Sequence, residues 1–299
     1  MTTASEVSPV RANEFIEQEL NARLSKIENA FSADALGLCG PLLDGVDDIL
    51  RTVVERRCTA NPHCTKLVVM LTTEGGYLEP VQRMVAVLRQ HYQIVDFVIQ
   101  NHAYSAGTVF ALSGDAIYMD YYSRLGPIDP QIKSSQGRTV SALGYIEKYN
   151  DLIERATNGD ITPAEIQLLI TGFDQAELYS YEQARDSSVA ALEEWLVKYK
   201  FKNWDQTETR GLQVTDEMKK ERAKKIGYDL NDTERWHSHG YGLSMDVLKS
   251  DLDVFIDDFG KDQKKSSAIK AYHELLSDYM EKRRAGGVIH VVGDYRSYV

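Results

Sequence analysis

The sequence has few cysteines, no surplus of basic residues and no long apolar run. Its 299 residues include only Cys39, Cys58 and Cys64, and no two of them form a Cys-x-x-Cys pair. This pattern argues against a disulfide framework and against a cysteine-based zinc site, and it fits a reducing compartment. The formal net charge of −11 lacks the basic surplus that is typical of nucleic-acid-binding proteins.

Apolar residues are not concentrated in any segment of membrane-spanning length. The N-terminal segment lacks the apolar core of a signal peptide, and no later run approaches the ~20 residues needed to cross a bilayer. Charged residues make up 26% of the chain and hydrophobic residues 43%, which is ordinary for a globular protein. We therefore expect a cytoplasmic globular protein with no membrane span and no nucleic-acid partner.

Strand and helix patterns alternate through the first half of the chain. Runs rich in β-branched residues at 66–71 and 93–100 are typical of buried strands, and a helical pattern at 77–91 lies between them. A further strand is predicted at 116–120. This alternation indicates parallel strands joined by crossover helices, which is an α/β fold.

The chain divides into four parts by pattern. We predict an N-terminal helical arm over 1–32, a core over 33–157, a helical insertion over 158–235, and a return to the core with a C-terminal segment over 236–299.

The insertion mixes aromatic residues with charges, a composition that suits an interface. These aromatic residues are Tyr179, Tyr181, Trp195, Tyr199, Phe201 and Trp204. With the amphipathic helix predicted at 14–31, they predict a homo-oligomer. The alternative is that the aromatic residues pack the insertion onto its own core.

Two loops that follow buried strands carry the residues best suited to chemistry. The first contains Gly75 and Gly76, and glycines let the backbone bend tightly and bring N–H groups close to a ligand. The second contains Ser105 and opens a helix, whose N-terminus has free N–H groups. Both lie at the carboxyl ends of strands, where they would supply a hydroxyl and backbone donors for acyl transfer. The alternative is that Ser105 is only an N-cap and the glycines only a turn.

The order of these elements resembles a known family. The segments "MLTTEGGYLEPVQRMVAVLRQH" and "VDFVIQNHAYSAGTVFALSGDAIYMDYYSRLGPIDPQI" are similar to the Clp-fold serine proteases, and within them to the serine dehydrogenase proteinases, relatives of the SppA signal peptide peptidases. The similarity covers residues 35–155 and, more loosely, 235–256. It implies a ClpP/crotonase-like spiral of ββα units with an added helical region.

The resemblance also implies roles for individual residues. Ser105 would be the nucleophile, and Gly76 and Ala106 would donate the N–H groups of an oxyanion hole. ClpP-type enzymes place a histidine downstream of the serine, in a neighbourhood where this chain has Asp129 and no histidine. SppA-type enzymes use a lysine on a later helix, and Lys148 matches that placement. Lys148 is favoured as the base, provided that burial lowers its pKa.

His239 is the alternative base. It lies with His237 in "WHSHGYGLSMDVL", a segment similar to the one that returns the third triad residue to the serine in ClpP-fold enzymes. On a strand both histidines would point the same way, and Asp129 or Asp232 would orient the base. No cysteine partner or His-Glu-x-x-His pattern accompanies them, so we expect neither a metal nor a cofactor.

The sequence favours an ATP-independent serine peptidase that acts on protein or peptide substrates through an acyl-enzyme on Ser105. Two alternatives stay open. A crotonase-like acyl-CoA enzyme would use similar backbone donors with a carboxylate such as Glu74 as acid and base. A catalytically inactive Clp-fold scaffold or binding protein would account for the empty ClpP-type histidine position.

Overall fold

The computed structural model describes residues 11–133, 139–207 and 211–299. The strands in these ranges are β1 (Asp34–Cys39), β2 (Lys66–Thr73), β3 (Ile94–Ala103), β4 (Ala116–Met119), β5 (Arg124–Leu125), β6 (Gln131–Lys133), β7 (Thr139–Ser141), β8 (Asp257–Asp258), β9 (Gly287–Val291) and β10 (Asp294–Tyr298). The α-helices are α1 (Ala12–Phe31), α2 (Val46–Ala60), α3 (Leu78–His91), α4 (Ala106–Leu112), α5 (Ala142–Thr157), α6 (Pro163–Thr171), α7 (Gln175–Trp195), α8 (Asp216–Asn231), α9 (Thr233–Trp236), α10 (Met245–Ser250) and α11 (Gln263–Arg283). Within these ranges, no helix is both long and apolar enough to cross a membrane.

The central sheet has the strand order β10-β9-β1-β2-β3-β4-β8, and β5 pairs with the end of β3. Strands β1 to β4 are parallel, and α2, α3 and α4 provide the crossover connections that parallel neighbours require. Strands β9 and β10 extend one edge in antiparallel pairing. The predicted α/β class is confirmed.

Both faces of the sheet are covered, which explains why its central strands are continuous apolar runs. On one face, Leu67, Val69 and Leu71 of β2 belong to a core shared with α2, α3 and α4. On the other face, Val68 and Met70 belong to a core shared with α1 and α11. The carboxyl ends of β2 and β3 therefore emerge between two packed layers, and this holds the loops that follow them.

The N-terminal helical arm and the helical insertion both pack on the core of their own chain. The helix predicted at 14–31 is α1, whose apolar face is buried against α11 and the sheet. In the insertion, Trp195 and Phe201 are buried in the main core, and Tyr199 and Trp204 pack against it. For these four aromatic residues the alternative interpretation, packing within the chain, is the correct one. Tyr179 remains 63% exposed, and the homo-oligomer stays a prediction.

A buried polar network joins α1, α11 and β9 around His290. The Tyr272 hydroxyl lies 2.9 Å from His290 Nδ1, and Asn21 Oδ1 lies 3.1 Å from Nε2. Because Asn21 Oδ1 is an acceptor, Nε2 carries the proton and Nδ1 accepts from the hydroxyl. Burial lowers the pKa of His290 to about 4. The fold therefore holds this imidazole neutral, with both ring nitrogens satisfied.

We expect acid to destabilise the fold through His290. An imidazole in the unfolded chain titrates near ~6.5, whereas His290 titrates at about 4 when folded, so the unfolded state binds the proton first. The stabilisation is complete above that higher pKa and is lost as the pH falls towards the lower one, by up to about 3 kcal/mol. Urea unfolding across this range should show a flatter pH dependence for His290→Gln. The exposed His63→Gln is the matched control, and an unchanged slope in His290→Gln would contradict the assignment.

Candidate active site

Ser105 occupies the turn between β3 and α4 in a strained backbone conformation. Its φ of 52° and ψ of −122° lie in a region that residues with side chains rarely adopt. The Gly107 N–H donates to the Tyr104 carbonyl at 2.8 Å, and the Thr108 N–H donates to the Ser105 carbonyl at 2.8 Å. All residues of α4 are buried, so the packing of this helix fixes the position of the turn that precedes it. A strained serine between a strand and a helix is an arrangement that presents a nucleophile.

The glycine loop after β2 lies directly against this turn. A β-carbon on Gly75, whose φ is +103°, would lie 2.9 Å from Ser105 Cβ and 2.8 Å from the Tyr104 carbonyl oxygen. A β-carbon on Gly76 would lie 2.1 Å from the Leu42 carbonyl oxygen. Only glycine lets the backbone segments approach this closely, so the two loops singled out in the sequence meet in space.

The N–H groups of Gly76 and Ala106 are free to bind a ligand. Gly76 forms a parallel bridge with Leu42, in which Leu42 N–H donates to the Gly75 carbonyl at 2.8 Å and Tyr77 N–H donates to the Leu42 carbonyl at 2.9 Å. Because the neighbours make the bonds of such a bridge, the N–H of Gly76 itself points away from Leu42. Ala106 is the first residue of α4, so its N–H has no acceptor within the helix. Neither group donates to an acceptor in the part of the chain that the structure describes.

We expect Gly75→Ala to impair the site more than the fold. The added methyl group must displace Ser105 or the glycine loop, and misplacing reacting groups by about 1 Å can lower a rate ~100-fold. The comparison is kcat/KM on a peptide substrate, with thermal unfolding measured in parallel. Gly144→Ala is the matched control, because a β-carbon there meets nothing within 4 Å and α5 favours alanine. Equal kcat/KM values for Gly75→Ala and wild type would contradict the close approach.

Asp129 and His239 form a carboxylate–imidazole pair in which the carboxylate is buried and the imidazole is partly exposed. His239 Nδ1 lies 2.7 Å from Asp129 Oδ1, and Gln131 Nε2 donates to Oδ2 at 2.8 Å. Burial of Asp129 opposes its ionisation, but hydrogen bonds from His239 and Ser141 outweigh burial and hold the pKa of this carboxyl below its ordinary value. An ionised carboxylate only accepts, so Nδ1 carries the proton and Nε2 keeps its lone pair. The arrangement can orient a general base.

A tertiary contact brings the His239 segment to the strand end that carries Ser105. Leu125 and Leu243 exchange backbone hydrogen bonds of 3.0 and 2.8 Å. Leu125 is in turn the β5 partner of Ala103, the last residue of β3. The segment that follows His239 is therefore anchored beside the strand from which the Ser105 turn departs.

Lys148 lies on α5 as a solvated helix lysine. Its side chain is 52% exposed, and its Nζ lies 2.7 Å from Asp151 Oδ2. Exposure and an ion pair both favour the charged ammonium, whereas a general base must be neutral when the nucleophile attacks.

Neither His237 nor Asp232 takes part in the contact between His239 and Asp129. Residues 237–240 form bends and a turn, so the strand geometry considered for the two histidines is absent there. His237 is exposed with a φ of 57°. The Asp232 carboxylate accepts the Arg235 N–H at 2.9 Å, and Asp129 is the carboxylate that meets His239.

His102 is a neighbour of the site that the sequence did not single out. Its Nε2 lies 2.8 Å from Glu74 Oε1, and its ring stacks on Tyr104 at 4.8 Å between centroids. Glu74, considered as an acid and base for an acyl-CoA enzyme, is 76% exposed and paired in this contact. Its position could have identified it from the sequence, because His102 stands at the end of a buried strand, three residues before Ser105.

The described residues offer no metal site, and the cavity on the α3–α7 side lies apart from the two loops. Among the described residues, no group of three His, Cys, Asp or Glu side chains could hold a metal ion. A cavity of about 630 Å³ lies between α3 and α7, where the Arg89 guanidinium stacks on Tyr199 at 3.6 Å. Its lining includes none of the residues of the two loops.

Comparison with known proteins gives one family match and two distant curated relatives. Residues 42–158 match the model of the ClpP-like SDH-type serine proteinases. The uncharacterized protein MJ1495 of Methanocaldococcus jannaschii is 26% identical over 207 residues, which cover 69% of this chain and 56% of that protein. The uncharacterized protein MJ0137 of the same organism is 29% identical over 90 residues, 30% of each chain. The chain thus spans about half or less of the curated relatives that it matches.

Among solved structures, two mutant forms of the 1510-N membrane-bound stomatin-specific protease are similar, one of them in complex with a substrate peptide. Each has a TM-score of 0.43 and 14% identity, over 75% of this chain and 76% or 72% of the other. Similarity at this level assigns no function. The family match includes both loops and Asp129, so the part of the chain that holds them is similar to the ClpP-like SDH-type serine proteinases.

Proposed function

We propose that this protein is a serine peptidase in which Ser105 is the nucleophile and His239, oriented by Asp129, is the general base. The observation that carries the proposal is the strained Ser105 turn held against the Gly75-Gly76 loop. Strain of this kind costs on the order of 1–3 kcal/mol, persists only where the surrounding structure enforces it, and clusters at active sites. The family match to serine proteinases supports the same chemistry.

The choice of His239 over Lys148 rests on their surroundings. His239 is 26% exposed and its Nδ1 is bonded to a carboxylate that is 1% exposed. That bond fixes the tautomer in which Nε2 can accept a proton, as in serine–histidine–aspartate triads. Lys148 has an exposed ammonium paired with Asp151, which supports the charged form.

The proposed reaction proceeds through two acyl-transfer steps. Ser105 Oγ attacks the peptide carbonyl carbon while His239 Nε2 takes the hydroxyl proton. The N–H groups of Gly76 and Ala106 bind the oxyanion of the tetrahedral intermediate. Collapse breaks the C–N bond, and the leaving amine takes the proton from His239. Water then attacks the acyl-enzyme by the same route, releasing the carboxylic acid and restoring Ser105.

The substrates are polypeptides or peptides, and the reaction itself consumes only water. We include ATP independence in the proposal for that reason. Action in the cytoplasm, which the composition and the unpaired cysteines favour, and assembly as a homo-oligomer stay predictions.

Intact-mass measurement tests the proposed function. The full-length protein is mixed with an activated peptide ester in the absence of nucleotide and quenched in acid at short times. We expect a mass increase of one acyl group per chain, which decays as the ester is consumed. Ester turnover without any covalent intermediate, or turnover of acyl-CoA thioesters instead, would contradict a serine peptidase.

A further inference from the structure

The contact between Glu74 and His102 joins the two loops that flank the site. Glu74 follows the last residue of β2 and precedes Gly75. His102 lies near the end of β3, and its ring stacks on Tyr104 with an interplanar angle of 22°. The three side chains therefore link the residue before the glycine loop to the residue before Ser105.

The direct pairing of β2 with β3 is interrupted just before these loops. The β2–β3 register runs regularly to Leu71 and Ile99, then shifts, so that the next pair is Thr73 with Ala103. Beyond the shift, one backbone bond, from Tyr104 N–H to the Thr73 carbonyl at 3.0 Å, continues the connection. Because the β2–β3 ladder is interrupted there, side-chain contacts between the two loops can contribute to their spacing.

His102 lies between the glycine-loop side of the site and α11. Burial lowers the pKa of His273 on α11; the Glu274 carboxylate opposes that lowering and the neighbouring His102 adds to it, so the two imidazoles are close to each other. Burial and then the Glu74 carboxylate raise the pKa of Tyr104, which keeps the stacked phenol neutral. His102 itself is 19% exposed, so its ring is largely held in place.

We propose that Glu74, His102 and Tyr104 form a cross-loop clamp that sets the spacing between the oxyanion donors, the N–H groups of Gly76 and Ala106. Gly76 is two residues after Glu74, and Ala106 is two residues after Tyr104. The clamp residues are positioning residues, because they act through these donors and not on the substrate. The inference rests on the proposed function.

Cutting the clamp is expected to lower kcat by a modest factor and to leave KM nearly unchanged. Glu74 is mostly exposed, and ion pairs in such positions contribute modestly, so we expect a roughly two- to fivefold loss of kcat when the link is cut. The loss arises in the transition state, where the oxyanion is present, and KM for the same peptide should change by less than about twofold.

The test compares His102→Phe, which keeps the stack and removes Nε2, with Glu74→Ala and Glu74→Gln. The measurements are kcat, KM, the unfolding temperature, and the inhibition constant of a peptide aldehyde, whose adduct with serine places an oxyanion in the hole. For His102→Phe and Glu74→Ala, the aldehyde constant should rise by the factor by which kcat/KM falls. Glu74→Gln should recover part of the loss, because its amide oxygen still accepts from Nε2. His63→Phe, at an exposed histidine, is the matched control.

Two results would overturn the clamp while leaving the peptidase intact. One is unchanged kcat and aldehyde affinity in His102→Phe and Glu74→Ala, in a protein whose wild type forms the acyl-enzyme. The other is a fall in kcat that follows the loss of thermal stability, with aldehyde affinity unchanged. Absence of the acyl-enzyme in the wild type would instead refute the proposed function, and the clamp with it.

Discussion

Replacing Ser105 with alanine is expected to reduce peptide hydrolysis by about six orders of magnitude in kcat, which is the scale seen when a triad serine is removed in another protease. The oxyanion donors stay in place, so a residual acceleration of ~1,000-fold over the uncatalysed rate would persist. The measurement is kcat and KM on a fluorogenic peptide, with protein prepared free of host proteases. KM should change little, because the hydroxyl acts in the chemical step.

Two further variants separate chemistry from structure. Ser105→Gly should be equally inactive, yet more stable than wild type by about 1 kcal/mol, because glycine adopts a φ of 52° without strain. Ser113→Ala, at the other end of α4, removes a buried hydroxyl that donates to the Phe110 carbonyl at 2.7 Å. It should lower stability and leave kcat near the wild-type value. A Ser105→Ala protein that hydrolysed the peptide with the kcat of wild type would refute the assignment of Ser105 as the nucleophile.

His239→Ala is expected to have the second largest effect, on the order of 10⁴-fold or more in kcat, whereas Lys148→Ala should retain nearly full activity. The reason is that His239 Nδ1 is bonded to Asp129 while the Lys148 ammonium is exposed and paired with Asp151. The measurement is kcat/KM for both variants together with the rate of acylation by an activated ester. Asp129→Asn should also be strongly impaired, because an amide can force the wrong imidazole tautomer.

The pH profile gives an independent check on the base. Activity should rise with pH in either case, since a base must lose its proton before it acts. With an imidazole base the rise is complete near neutral pH, whereas an amine base extends it above neutrality. A pH profile of activity that rises only above neutrality, combined with an inactive Lys148→Ala, would identify Lys148 as the general base.

The proposed nucleophile and its proposed donors were accessible from the sequence because they are local features. Gly75-Gly76 and Ser105 each follow a β-branched apolar run, and parallel strands bring their carboxyl ends to one edge. That reasoning placed the two loops together, and the Gly75–Ser105 approach agrees with it. What it did not reveal is the positive φ of Ser105, since a serine before a helix is also an ordinary N-cap.

The partner of His239 was harder to predict because the contact is long-range. Asp129 and His239 are 110 positions apart, and the bridge between Leu125 and Leu243 brings them together. Asp129 and Asp232 were both candidate partners from sequence, and the structure pairs His239 with Asp129.

Helix α11 shows a different limitation of prediction from the sequence. Its buried residues Ile269, Tyr272, Leu276 and Tyr279 stand at helical spacing, so the pattern was present and was overlooked between charged residues. For the aromatic residues of the insertion, an interface and packing within the chain both stayed open, because composition does not distinguish a core from an interface.

The most direct test of the account is to locate the site of covalent modification. The folded wild-type protein is treated with a fluorophosphonate probe, digested, and analysed by peptide mass spectrometry. We expect a single modified serine, Ser105, with labelling lost after unfolding and slowed in His239→Ala, because only an activated serine reacts. Labelling of another residue, or no labelling of the folded protein at any pH where it is stable, would contradict the central claim.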